Sequence, residues 1–184
     1  MAYNVPSYDT DRFSFGPGIL YMGPVGATPQ IDIGAVTVGA KLALTREILE
    51  YRQGSPATVV KKFAVQENVM LDVTGLEWNV TNLALAAGAG VTASTANEET
   101  FEFGGDIDVD QYALRFVHVT PAAQTISIYL WKAEAGSGFE AVFGDGPHEF
   151  PMSFSAVESP TNWAGDALAT NKRLVKLVYD KIAL

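Results

Sequence analysis

Two consecutive runs of alternating apolar side chains constrain the fold of this chain more than any other feature. The first run, residues 31–52, places apolar residues at every second position in its central part, and the second run, residues 57–73, repeats the pattern. A period of two is typical of β-strands with one buried face. The sequence Q-G-S-P at residues 53–56 separates the runs, and Gly-Pro combinations mark turns. The pattern therefore predicts a long antiparallel hairpin with its tip near residues 54–56.

Each arm of this hairpin exceeds the usual strand of about five or six residues. A hydrophobic core of ordinary thickness covers only part of such an arm. We therefore predict that the hairpin, about residues 42–63, protrudes beyond the body of the protein. The apolar residues Val59, Phe63, Val65, Val69 and Leu71 of the second arm share one parity, and the alternation predicts that they share one face.

The other elements are short. Strands are expected at residues 16–23, 99–104, 111–120, 125–133 and 149–158, and the basic C-terminal segment, residues 172–184, favours a strand over a helix. A helix is predicted over residues 75–87, with Thr74 and Glu77 as a capping box and Gly88 after its last turn. Residues 88–97 are expected to form a loop and residues 1–15 an N-terminal arm.

These elements predict a mainly β (α+β) fold: a β-sandwich or barrel with one flanking α-helix and a long protruding hairpin. The length of 184 residues is that of a single domain, residues 1–184. The N-terminus lacks a basic segment followed by an apolar run, and no stretch is long and apolar enough to span a membrane. We therefore expect folding in a cytoplasm and no membrane partner.

Composition and motifs predict no enzyme and no cofactor. The chain has no cysteine and two histidines, which excludes disulfides, cysteine-ligated metals and a thiol nucleophile. Residues 88–93 fit G-x-G-x-x-A, but they follow a predicted helix rather than a strand, so they do not indicate a dinucleotide site. No hydrolase motif or phosphate-binding loop occurs, and His118 is expected to be structural.

Three aspartates, Asp106, Asp108 and Asp110, occupy positions 1, 3 and 5 of a calcium-loop pattern. Gln111 stands where the pattern needs glycine, and Val117 stands where it needs glutamate. The preferred interpretation is a solvated acidic turn whose aspartates share one face, and a looser calcium site is the alternative.

The net charge of −9 is unevenly distributed. Residues 63–171 contain 15 acidic residues and two basic ones, whereas residues 41–62 and 172–184 each carry a net charge of +3. An acidic body with basic appendages suits head-to-tail contacts between copies, although solubility alone also explains a net charge. Tight nucleic-acid binding is disfavoured because an acidic body repels phosphates.

The order of features resembles the major tail tube proteins of long-tailed bacteriophages and of phage-like particles. The resemblance covers nearly the whole chain and rests on order, spacing and hydrophobic pattern. It is carried by GPGILYMG (16–23), DIGAVTVGAKL (32–42), the QGSP tip, VMLDVTGLEWNVTNLALAAG (69–88), IYLWKAEA (128–135) and EFPMSFSAVES (149–159).

The resemblance implies a structural virion protein without enzymatic activity. Subunits of this family form rings, usually hexameric, that stack into a tube through which DNA passes without specific binding, with other tail proteins at the tube ends. It implies assembly in the host bacterial cytoplasm and a final location in the virion tail. The hairpin would contact the next ring through Arg46, Glu47, Glu50, Arg52, Lys61 and Lys62. An acidic face comprising Glu102, Asp106, Asp108 and Asp110 would line the lumen or receive a partner.

Two other functions are compatible with the sequence. One is a different β-rich virion protein, such as a capsid decoration, tail terminator or adaptor protein, which would form a closed oligomer. The other is a non-viral β-sandwich binding module, which would be a monomer with exposed aromatic residues in a groove.

Overall fold

The computed structural model describes residues 17–34, 36–105, 107–121, 123–136, 138, 140, 145 and 148–180, with backbone alone for residues 37–39. The predicted N-terminal arm, Asp106 and the last four residues of the C-terminal segment lie outside the described residues. The described elements consist of strands, one α-helix and a short 3-10 turn, which confirms a mainly β fold with one helix.

The strands follow one another along most of the chain. They are β1 (Ile19–Pro24), β2 (Ile31–Asp32), β3 (Val36–Gln53), β4 (Thr58–Gly75), β5 (Val91–Ser94), β6 (Glu99–Glu102), β7 (Gln111–Val119), β8 (Thr125–Ala135), β9 (Phe150–Ala156) and β10 (Val175–Asp180). The helix α1 (Val80–Ala87) lies between β4 and β5, and the 3-10 turn (Thr170–Lys172) precedes β10.

Eight of these strands form one antiparallel sheet that branches at β8. The main path has the order β2-β1-β7-β8-β9-β4-β3, and β10 also pairs with β8. Along the edge of β8 opposite β7, Thr125 to Leu130 pair with β10 and Ala133 to Ala135 pair with β9. The remaining strands, β5 and β6, form a separate two-stranded ribbon.

Trp131 fills the point where the sheet branches. Its indole N–H donates to the carbonyl oxygen of Lys172 at 3.0 Å. The ring of Trp163 packs edge-on against Trp131, with 5.1 Å between ring centroids, and also contacts Tyr129 at 5.0 Å. Because these aromatic rings occupy the gap between β9 and β10, the branch is packed rather than open.

The core receives side chains from β1, β4, β7, β8, β9 and α1. Its largest fully buried members include Leu20, Leu71, Leu114, Leu130, Phe150 and Phe154. On β4, buried and partly exposed residues alternate from Val69 to Gly75, whereas every residue from Thr58 to Glu67 is exposed. The hairpin therefore leaves the core near Asn68. We call residues 44–67 the projecting hairpin.

The start of the helix differs from the prediction. Thr74 and Gly75 belong to β4 and pair with Pro151 and Phe150 of β9, so the predicted capping box does not form. Instead α1 begins at Val80, and the Asn79 side chain accepts a hydrogen bond from the backbone N–H of Asn82 at 2.8 Å. A continuing sheet ladder has overridden a local capping signal.

Other local predictions had mixed outcomes. The glycine after the helix is confirmed, since Gly88 adopts the left-handed conformation at φ 68°. The predicted loop at residues 88–97 is wrong, because Val91–Ser94 forms β5 by pairing with Glu99–Glu102. The predicted C-terminal strand is confirmed as β10, which pairs with β8 of its own chain.

The two alternative caps can be told apart by mutation. Asn79→Ala should lower the free energy of unfolding by about 1 kcal/mol, because it leaves a backbone N–H of α1 without its acceptor. Thr74→Val keeps the branched side chain that suits a strand and removes only the hydroxyl, so it should change stability by less than about 0.5 kcal/mol. Urea unfolding of unassembled protein measures both. A larger loss for Thr74→Val than for Asn79→Ala would contradict the observed helix start.

Candidate assembly surface

The register of the β3–β4 ladder assigns each paired residue of the projecting hairpin to one of two faces. Leu44 pairs with Val69, which points into the core, and Arg46 pairs with Glu67 two residues farther out on the same side. β3 continues without an inserted residue, so its even-numbered positions keep this side and its odd-numbered positions take the other. β4 contains one extra residue at each of two bulges, which lie between its pairs with Glu47 and Ile48 and between its pairs with Tyr51 and Arg52.

One side carries a network of ion pairs, which we call the ion-pair face. Arg46 Nη2 lies 2.5 Å from Glu67 Oε1. Glu50 uses both carboxylate oxygens, with Lys62 Nζ 2.6 Å from Oε1 and Arg52 Nη2 2.7 Å from Oε2. Hydrogen bonds from Lys62 and then Arg52, followed by the charge of Lys62, lower the pKa of Glu50 below its ordinary value of 4.5. Exposed pairs of this kind stabilise only modestly, but together they link the two arms.

Because of these ion pairs, fewer of the predicted inter-ring residues have an unpaired charge that could bind a neighbouring subunit. Arg46, Arg52 and Lys62 already have carboxylate partners within the hairpin, and Glu50 has two cationic partners there. Lys61 and Glu47 occupy the opposite side, where Lys61 pairs with Tyr51 and Glu47 with Gln66. A contact of these six residues with a neighbouring subunit stays a prediction.

The opposite side carries a cluster of large apolar side chains. Leu49 pairs with Phe63, and the next pair toward the tip on this side is Tyr51 with Lys61. Leu49, Tyr51 and Phe63 are 59%, 56% and 45% exposed, and Lys61 Nζ lies 4.8 Å from the centroid of the Phe63 ring. We call these four residues the hairpin patch. A two-stranded ribbon is marginally stable alone, and apolar clusters on exposed surfaces typically mark interaction sites.

The hairpin also presents sheet edges. Within the described residues, β3 pairs only with β4, so its outer edge has no partner along Val36–Gln53. β4 loses its second partner beyond Met70, the outermost residue paired with β9. Unpaired edges are templates for another strand, and the two bulges interrupt the edge of β4 alone.

The predicted acidic face lies on and after β6. Glu102 ends β6, and Asp108 and Asp110 lie in the segment between β6 and β7, which is not a strand; the predicted alternation of aspartates on one face therefore does not apply to it. All three residues are exposed. Asp110 accepts a hydrogen bond from the Tyr112 hydroxyl at 3.1 Å, and burial, followed by the charge of Asp110, raises the pKa of Tyr112.

In the described part of the chain, no group of three or more histidine, aspartate or glutamate side chains is arranged to hold a metal ion. His118 is buried, and its Nδ1 lies 2.8 Å from the Pro17 carbonyl oxygen, as expected of a structural histidine. None of the described helices combines the length and apolar character needed to cross a membrane.

The sequence analysis missed the hairpin patch. The shared parity of Val59, Phe63 and Val69 predicted a common face, but the bulges place Phe63 on the side opposite Val69 and return Val59 to the side of Val69. A usable signal was present on the first arm, where Leu49 and Tyr51 have the parity opposite to Leu42 and Leu44.

The chain matches no protein-family model, and no curated protein sequence matches it either.

The ion-pair face can be tested through the titration of Glu50. Lys62→Met should raise the pKa of Glu50, whereas Lys61→Met, on the other side of the hairpin, should leave it unchanged. A lowered pKa means that the contribution of Glu50 to hairpin stability is present above the ordinary carboxyl pKa and is lost as pH falls through the lowered one. Side-chain NMR titration of the three proteins provides the measurement. Equal shifts in both variants would contradict the assigned faces.

Proposed function

We propose that this protein is a structural subunit that self-assembles into stacked rings forming a tail tube, a conduit for DNA ejection in a phage or phage-like particle. The observation that carries the proposal is the projecting hairpin, whose patch of Leu49, Tyr51 and Phe63 is exposed in the single chain. The resemblance supplies the particle, the virion location, the hexameric ring and the other tail proteins at the tube ends.

The physical argument begins with the cost of the hairpin patch. Full burial of a large apolar side chain contributes roughly 1.5–3 kcal/mol, and the side chains of Leu49, Tyr51 and Phe63, 45–59% exposed, leave about half of that unrealised. A second copy of the chain can bury them if its receiving surface differs from the hairpin. Such a contact between two different surfaces is head-to-tail, and repeated contacts of that kind generate an extended polymer rather than a closed dimer.

Ring formation requires a second kind of contact. The sheet ends at β2 on one side and at β3 on the other, and no ladder between these two strands closes it within the described residues. An open sheet with two edges can join edge to edge with its neighbours, so that a ring of subunits forms a continuous barrel. The proposed tube thus uses sheet edges within a ring and the hairpin between rings.

The charge distribution suits a conduit for DNA. The chain carries a net charge of −9, and Glu102, Asp108 and Asp110 are exposed. DNA slides where its phosphates contact no lysine or arginine side chain, because such neutralising contacts hold the DNA backbone in place.

Assembly depends on the hairpin patch in this proposal. The double variant Leu49→Ser/Phe63→Ser should stay folded, because both side chains lie outside the hydrophobic core. The variant should raise the protein concentration needed for tube formation by at least about tenfold, because each contact between subunits loses more than about 1.4 kcal/mol of binding free energy. Ile48→Ser, on the ion-pair face, is the matched control.

Negative-stain electron microscopy over a concentration series, with circular dichroism as the folding check, measures these effects. Tubes from the double variant at the wild-type concentration would refute the assembly role of the patch. A closed oligomer at every concentration would favour a decoration, terminator or adaptor protein, and a persistent monomer would favour a binding module.

The conduit role predicts weak interaction with DNA. Purified protein should not shift a duplex in a gel at low salt, where electrostatic binding is strongest. Retardation that disappears as salt is raised would show cationic contacts to phosphate and would argue against a repelling channel.

A further inference from the structure

A second exposed apolar surface lies on the β5–β6 ribbon and the segment that follows it. Val91, Phe103 and Ile107 are 67%, 68% and 95% exposed. Phe101 and Phe103 lie beside each other with ring centroids 6.3 Å apart. Val91 pairs with Glu102, so it lies on the face of the ribbon opposite Phe101 and Phe103. We call Phe103 and Ile107 the ribbon patch. Its exposure resembles that of the hairpin patch, and nothing within the described chain covers either one.

The ribbon is a fixed part of the body. The backbone N–H of Asp110 donates to the carbonyl oxygen of Gly88 at 2.7 Å, which ties the end of the segment to the end of α1. A Cβ at Gly88 would come within 2.6 Å of the Ala135 Cβ, so the ribbon begins in close contact with β8. At Gly90 a Cβ would lie 2.6 Å from the Phe101 ring. These contacts hold the ribbon patch in place before any partner arrives.

The charges around the two patches are complementary. Residues 91–110 contain six acidic residues and no basic one, whereas the hairpin patch carries the cation Lys61. Arg52 and Lys62 lie on the ion-pair face, where both pair with Glu50. Among the described acidic residues of the ribbon, none forms an ion pair with another described residue. Lys61 likewise forms no ion pair within the described chain. Opposite charges at the rims orient two apolar surfaces that approach each other.

The hairpin patch and the ribbon patch of one chain cannot contact each other. Phe63 lies seven residues beyond Met70, the last residue of β4 paired with β9, which places it about 23 Å out along the hairpin. The ribbon is anchored at the body through α1 and β8. The hairpin patch can therefore reach a ribbon patch only on another copy.

We propose that the hairpin patch of one copy docks on the ribbon patch of the next copy, with Lys61 facing Asp108 at its acidic rim. The inference rests on the proposed function and adds the receiving surface to it. It assigns the predicted acidic face to a protein partner rather than to the lumen. Each contact is small, but a ring engages all its hairpins at once, and such multivalency multiplies weak contacts.

The absence of native cysteine makes disulfide trapping a direct test. The double variant Leu49→Cys/Phe103→Cys should give a ladder of covalent multimers on a non-reducing gel after mild oxidation under assembly conditions. Each single variant should stay monomeric on the gel, because a head-to-tail contact does not place identical residues together. Leu49→Cys/Val119→Cys is the matched control, since Val119 is also exposed and apolar but lies at the end of β7.

A second pair keeps all large apolar side chains in place. Lys61→Cys/Asp108→Cys should give the same ladder if the rims face each other, and it guards against loss of assembly caused by replacing Leu49 or Phe103. Both double variants are imaged before oxidation, so that the assembled state is known independently of the covalent products.

The outcomes separate the two proposals. Ladders from both patch pairs, with none from the control, support the docking. Tubes in the microscope without a ladder from either pair overturn the ribbon as the receiving surface and leave the tube proposal standing. Covalent dimers from Leu49→Cys alone show that hairpin patches meet each other, which also overturns the docking. Unassembled monomers with no ladder, for wild type and variants alike, contradict the tube proposal and the docking together.

Discussion

The β3–β4 ladder is the interaction on which the rest of the structure depends. Its inner end is part of the core, because Leu71 and Val73 are buried and pair with Phe154 and Met152 of β9. At its outer end, the described strands β3 and β4 pair only with each other. Backbone hydrogen bonds therefore carry the rigidity of the core outward, and the register set at the buried end determines which side chains face which way far beyond it. A slip of one residue would exchange the apolar and ionic sides of the hairpin.

The hairpin was predictable from sequence, but its faces were not. Alternation over two long runs and the Q-G-S-P break specify two paired strands and their turn without reference to the rest of the chain. The bulges in β4 each shift parity by one, and no residue type marks their positions unambiguously. The helix start failed for a related reason: Thr74 and Glu77 satisfy the local capping rule, but pairing of Gly75 with Phe150, 75 residues away in sequence, decides the conformation.

The candidate site shows the same division between local and long-range information. The sequence identified the charged hairpin residues but not their pairing, because Arg46 and Glu67 are 21 positions apart and meet only through the ladder. It also identified Glu102, Asp108 and Asp110 without the apolar side chains beside them, since Phe103 and Ile107 look like ordinary strand residues until their exposure is known. Composition reveals charge excess readily, whereas an unburied apolar surface is visible only in three dimensions.

The two faces of the hairpin have opposite effects on association: one favours the burial of apolar side chains, and the other disfavours docking. A projecting ribbon with exposed apolar residues and free edges is a hazard, since it invites pairing with any strand. On the ion-pair face, a foreign apolar surface would have to desolvate Glu50, Lys62 and Arg52 without replacing their contacts, which disfavours docking there. The bulges disrupt the regular edge of β4 at two points. In the proposed assembly, association would be directed to the side that bears Leu49, Tyr51 and Phe63, where burial is favourable and Lys61 would select an acidic partner. In the proposed assembly, the patch side would supply the free energy of association, and the ion-pair face would disfavour competing contacts.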